Sequence, residues 1–202
     1  MKKILVSACT GIAASLVLVI PAQAQASASG TAKAEVPAAA SNNPGISLDV
    51  IRSLPAALRN DPTFVVDPGY RIGDPIIHAD GTPVAGQSPA AMEAAASCGG
   101  TVVATGTGHW SGASVSNCAV AGSPGLYINI TWERAPAVES LGCLQGQKHT
   151  IDEHGDPITV WQSMGCGRSG SGHIFWGNVL ALPRVRAKTE QIPAGFAASW
   201  RH

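Results

Sequence analysis

Four cysteines, Cys98, Cys118, Cys143 and Cys166, punctuate a stretch in which short apolar runs alternate with glycine-rich turns. Thr101 to Thr105 is rich in β-formers. Leu126 to Trp132 reads LYINITW, with Tyr127, Asn129 and Thr131 on one face and Leu126, Ile128, Ile130 and Trp132 on the other. That period of two is the mark of a half-buried strand. His149-Thr150-Ile151 and Ile158 to Trp161 flank the polar run Asp152 to Asp156, and Ile174 to Trp176 and Val179 to Val185 add strand material. The pattern predicts a mainly β fold over residues 98–188, an antiparallel β-sandwich or small barrel braced by disulfides. Residues 189–202 read as a C-terminal tail.

Four cysteines allow three pairings. The favoured one, Cys98–Cys118 with Cys143–Cys166, closes loops of about 20 and 23 residues. In the chain-entropy picture each bridge adds about 3 kcal/mol. A crossed arrangement tying opposite sheets is the alternative, and spacing alone does not choose. No CxxC pair is present, so no metal site is expected, and nothing calls for a cofactor.

Disulfides presuppose an oxidising compartment, and the first 24 residues read as a secretory signal peptide. Lys2 and Lys3 precede an uncharged, mostly apolar stretch from Ile4 to Ile20, then Pro21 and the small-x-small site Ala22-Gln23-Ala24. Val6-Ser7-Ala8-Cys9 resembles a lipoprotein box, but the apolar run continues past Cys9, which is read as a passenger. The expected location is secreted, periplasmic or cell envelope, bacterial by the Lys-Lys start, with no membrane span once the signal is removed. Without Lys2 and Lys3 the chain carries 11 basic and 13 acidic residues, a net charge of −2.

Residues 25–45 hold mostly Ala, Ser, Pro, Gly and Asn, and too few large apolar side chains to offset the entropy of ordering them. They are expected to be a flexible, disordered linker. Residues 46–97 are expected to form short helices and a hairpin packed on the main domain. Ile46, Val50, Ile51, Leu54 and Leu58 make a helical stripe interrupted by Pro55. Ser88-Pro89 suits a cap followed by Pro at the first helical position, and Asp80-Gly81 marks a hairpin turn.

Composition narrows function by exclusion. Charged residues are 13% of the chain and the pI is near 7.0, so no nucleic-acid partner is expected. Ser169, in the Gly-rich run after Cys166, does not make a protease nucleophile loop. Arg168 stands where a chymotrypsin-like protease has Asp, and His109 is only 60 residues upstream. The run from Cys166 to His173 is read instead as a flexible hairpin loop. His149, Asp152, Glu153, His154 and Asp156 form the densest titratable group and read best as a solvated hairpin tip. Glu133, Arg134 or Arg168, and His173 have the residue types of a secreted nuclease without its spacing. Asn129-Ile130-Thr131 fits the N-glycosylation sequon but is set aside given the bacterial signal.

Five tryptophans remain to be placed: Trp110, Trp132, Trp161, Trp176 and Trp200. Trp132 continues an apolar face and is assigned to the core. Trp161 falls out of phase with its neighbours and points outward. Trp110 lies in the loop-like Gly108-His109-Trp110-Ser111-Gly112. Exposed Trp beside polar residues suits stacking on a sugar ring. The sequence therefore points to an exported, non-enzymatic β-domain that binds an extracellular or envelope glycan or protein. The candidate ligand-binding residues are Trp110, Trp161, His109, His149 and His154. The alternative is a small secreted hydrolase or toxin, of nuclease or peptidase type, using His149, His154 or His173.

Overall fold

The computed structural model describes residues 35–151 and 157–202. Within them the chain is 41% strand and 14% helix, so the mainly β expectation holds. Asp152, Glu153, His154 and Asp156 lie outside the described residues, as does the signal segment.

Two four-stranded antiparallel sheets face each other. One has the order β3-β12-β6-β9, from Gly99–Ala104, Phe196–Arg201, Tyr127–Arg134 and Ser169–Phe175. The other runs β4-β11-β7-β8, from Ser114–Val115, Arg184–Thr189, Gly142–Ile151 and Pro157–Gly167. Their inner faces meet in one core. Val102, Ile128, Ile130, Trp132, Ile174, Phe196 and Trp200 come from the first sheet, and Leu144, Met164, Val185 and Ala187 from the second. The alternation read in LYINITW appears directly, with Ile128, Ile130 and Trp132 buried and Tyr127 and Asn129 exposed. The sheets form an open sandwich, and the described residues form no closed barrel.

A third, mixed sheet joins the N-terminal segment to the sandwich. Its order is β1-β10-β5-β2, from Val65–Val66, Val179–Ala181, Ala119–Ala121 and Ile76–Ile77. Its two faces serve two cores. Ile77, Val120, Val179 and Ala181 join the sandwich core, while Val66, Ile76, Ala119, Ala121 and Leu180 join a second one. That second core also holds Ile51, Leu54, Phe64 and Tyr70. Strands buried on both faces read as continuous apolar runs, which is why Ile76-Ile77 and Val179-Leu180-Ala181 carry no alternation.

The N-terminal helices follow their caps. Ser47 accepts from the Val50 amide at the start of α1 (Leu48–Ser53), and Pro55 separates it from α2 (Ala56–Arg59). Ser88 caps α3 (Pro89–Ala94), with Pro89 in the first turn. The Asp80-Gly81 turn closes with the His78 amide donating to the Thr82 carbonyl.

Three boundaries differ from the sequence reading. Residues 38–43 belong to the fold rather than to a linker. Ala38–Asn42 is a 3-10 turn, Ala39 is fully buried, and the Asn43 amide donates to the Ala39 and Phe64 carbonyls while its oxygen accepts from the Val66 amide. A single polar side chain orders this segment, which a count of apolar residues misses. The supposed flexible loop from Cys166 to His173 is the end of β8 and most of β9, interrupted only at Arg168. Its glycines have two causes: a Cβ at Gly172 would meet the Met164 Cγ at 2.6 Å and one at Gly170 the Trp132 Nε1 at 2.8 Å, whereas Gly167 is set by a φ of +132°. The stretch read as a C-terminal tail supplies β12, a central strand between β3 and β6.

Both favoured disulfides are present, Cys98–Cys118 and Cys143–Cys166. Cys143 and Cys166 are directly opposed on β7 and β8. Next to them β8 carries a bulge, where the register shifts between Cys143 and Gln145 and Gly165 takes a φ of +92°. On the side where β8 and β9 meet, side chains cover the strand edges. Trp132 Nε1 donates to the Met164 carbonyl, and Gln162 Nε2 to the His173 carbonyl. Such cover denies the edge to another chain.

The loop 105–113 is held by close approach of backbone. A Cβ at Gly106 would fall on the Pro193 carbonyl, whereas one at Gly112 meets nothing within 4 Å. Gly106→Ala is expected to lower unfolding free energy by about 1–3 kcal/mol, and Gly112→Ala to change it by less than about 0.5 kcal/mol. Urea unfolding of both variants checks this; equal stability of the two would contradict it.

Candidate functional site

The site starts from the alternation of β11. Val185, Ala187 and Thr189 are buried, and Arg184, Arg186 and Lys188 alternate with them on the outer face. Arg186 lies opposite Gln145 of β7, which lies opposite Ser163 of β8. Gln145 Oε1 accepts from Arg186 Nε at 2.9 Å. Trp161, two residues before Ser163, places its ring under the same guanidinium, with Arg186 Cζ 4.4 Å from the ring centroid.

The loop 105–113 brings the second ring. Ser111 donates its amide to the Ala187 carbonyl at 2.7 Å, and its hydroxyl accepts from the Ala187 amide at 3.1 Å. These two bonds extend the β4–β11 ladder by one rung and leave Trp110 beside β11. Arg186 Cζ is 5.0 Å from the Trp110 centroid, and Lys188 Nζ is 5.2 Å from it. Each such contact contributes about 0.5–1 kcal/mol at an exposed site. Trp110 and Trp161 are both half-buried.

The structure thus brings together two of the five predicted ligand residues, Trp110 and Trp161. His109 is exposed in the same loop. His149 is half-buried on β7 and meets Trp176 edge-on, with centroids 4.7 Å apart. Burial holds its imidazole below the usual range; nearby Asp67 opposes that shift and Arg184 adds to it. His154 lies outside the described residues. Sequence reading missed Arg186, Lys188 and Gln145. The only available signal was the alternation of RVRAKT with a cation at each outward position.

Among the described residues the groups considered for hydrolysis are dispersed. His173 is exposed on β9 opposite Asn129, on the other sheet from His149. Glu133 sits opposite Ser169 and Ser199 with no histidine beside it in the register. Burial and Asp74 push the Tyr70 phenol up to about 12, too high for an acid or base at neutral pH. Ser116 Oγ and His202 Nε2 are 2.8 Å apart, but Ser116 is buried and its oxygen also accepts from the Cys118 amide. Burial lowers His202 to about 4, so it is a poor base. This contact ties the end of β12 to the segment before β5. Cys143, Cys166 and Glu190 lie within 4.8 Å of one another, yet the two sulfurs are bonded together and leave one carboxylate.

A hollow of about 520 Å³ lies on the outer face of the β3-β12-β6-β9 sheet, lined by Thr131, Glu133, Ser169, Ser199 and Arg201. Trp132 and Trp200 lie beneath it but are each 3% exposed, so it offers no aromatic face. The β11 cluster has the rings that this hollow lacks. No protein-family model matches the chain, and no curated protein or solved structure matches it either.

The neutral imidazoles set a pH dependence. With the folded His202 near 4 and the unfolded value near 6.5, the folded state binds fewer protons between those limits. Its contribution is full above pH 6.5 and is lost as pH falls towards 4, by up to about 3 kcal/mol. His149 shifts in the same direction. Urea unfolding at pH 7 and pH 4.5 should show the loss. His202→Gln, whose amide still reaches Ser116, should show less of it, and an equal loss in both proteins would contradict the assignment.

Proposed function

We propose that the chain is an exported, non-enzymatic binding domain whose outer β11 face engages an extracellular or envelope glycan. The carrying observation is that Trp110 and Trp161, from a loop and a distant strand, converge on one guanidinium. Large rings fixed at a partly exposed surface have a stacking face for the C–H side of a sugar, and Gln145 and Lys188 add polar groups at the rim. Among the described residues His149 and His173 lie on different sheets, which supports a binding role over a hydrolytic one.

Two further features support export. The N-terminal signal pattern belongs to a secreted or periplasmic, bacterial protein. Two disulfides are present, and no helix of the described residues is long and apolar enough to cross a membrane. A disulfide-braced fold suits an oxidising compartment.

Titration with solubilised envelope glycan should change the intrinsic Trp fluorescence. The change should come from Trp110 and Trp161, because Trp132, Trp176 and Trp200 are buried. Trp110→Ala and Trp161→Ala should each weaken binding about 5- to 150-fold, taking the roughly 1–3 kcal/mol of stacking a base on an aromatic ring as the guide. Undiminished retention of glycan by the double variant would refute the site.

A further inference from the structure

We propose that the outer edge of the Arg186 guanidinium is an anion subsite, and that the ligand is a polyuronate, a polysaccharide carrying carboxylates. This rests on the glycan-binding reading above and adds to it the charge of the ligand.

Two indole rings lie over the guanidinium carbon, at 4.4 and 5.0 Å. The Nε–H is taken by Gln145. What remains is the planar edge with four Nη N–H donors, and among the described residues none of these has an acceptor. That edge is the fork which matches a carboxylate bidentately. Arg184, on the same strand, shows the contrast: Asp67 Oδ1 lies 3.5 Å from its Nη2. Among the described residues no carboxylate is within ion-pair reach of Arg186 or Lys188. Packing against the rings has cost Arg186 part of its water, without supplying a counter-charge. An external anion supplies one.

Lys188 makes the subsite a row. Arg186 and Lys188 are two residues apart on one strand face, so their Cα atoms are about 7 Å apart, and Trp110 lies within reach of both cations. Two cations in line along a strand suit a repeating polyanion better than a single acid. Sugar rings, unlike the backbone of an acidic peptide, have a flat C–H face for the indoles. The net charge of −2 expected once the signal is removed does not attract polyanions in general, so charge recognition has to be local.

The test is titration of the full chain with oligogalacturonate and with its fully methyl-esterified form, alongside poly-glutamate and polyphosphate. The acid form should bind about 10- to 100-fold more tightly than the ester, as expected for charge-assisted bonds. Its affinity should fall with added salt. Arg186→Lys, which keeps the charge and removes the fork, should lose most of that preference. Arg201→Gln, on the other sheet, should keep it, and near-ultraviolet dichroism should confirm that each variant is folded. Equal binding of acid and ester, lost in Trp110→Ala, would overturn the anion subsite and leave the glycan platform standing. Equal binding of poly-glutamate or polyphosphate would overturn the polyuronate. Binding of none of these would overturn the proposal, and the neutral envelope glycans of the preceding titration would then judge the platform separately.

Discussion

The period-two alternation of β11 is the constraint on which both the fold and the candidate site depend. Val185 and Ala187 close the sandwich core from below. The residues that alternate with them have no choice but to face outward, and they are Arg184, Arg186 and Lys188. A slip of one residue would bury three cations and expose the apolar side chains, so the register is strongly determined. The same hydrogen-bond ladder that sets the register also seats Ser111 against Ala187 and brings Trp110 alongside. Core packing and site assembly are therefore one event. A substitution that loosens the inner face of β11 should disturb the outer cluster even without touching it.

The remaining architecture protects this arrangement. Cys143–Cys166 joins directly opposed positions of β7 and β8, next to the bulge after Ser163. That bulge lies in the strand that carries Trp161, and bulges commonly re-aim a strand next to a functional surface. Cys98–Cys118 ties the start of β3 to β5, and so joins the sandwich to the small mixed sheet. That sheet is buried on both faces and lets the N-terminal helices share in the fold through a second core. Arg184, the outward cation paired with Asp67, pins the turn after β1 to the same strand that carries the site.

Features with local causes were legible in the sequence. LYINITW announced its inner and outer faces, Ser47 and Ser88 announced their caps, and the sequential cysteine pairing, favoured over a crossed one that spacing did not exclude, is the pairing that forms. Features with distant causes were not. β12 carries the alternation Phe196, Ala198, Trp200, but it is short and rich in Ala and Ser, and its place between β3 and β6 depends on partners more than 60 residues away. Asn43 orders its segment through three backbone bonds, which no hydrophobic pattern records. At the site, Trp110 and Trp161 were recognisable as outward rings, whereas Arg186 was one cation among several. It becomes central only when two strands and a loop converge on it, and convergence is a property of the fold.

The most direct measurement of the central claim is the indole and guanidinium N–H spectrum of the protein during titration with the glycan it retains. Trp132, Trp176 and Trp200 give internal references, because their Nε1–H groups are already bonded to Met164, Val120 and Ser114. The account predicts shifts at Trp110, Trp161 and Arg186 Nε with those three references unmoved. A shift confined to the opposite sheet, at Arg201 Nε, would contradict it.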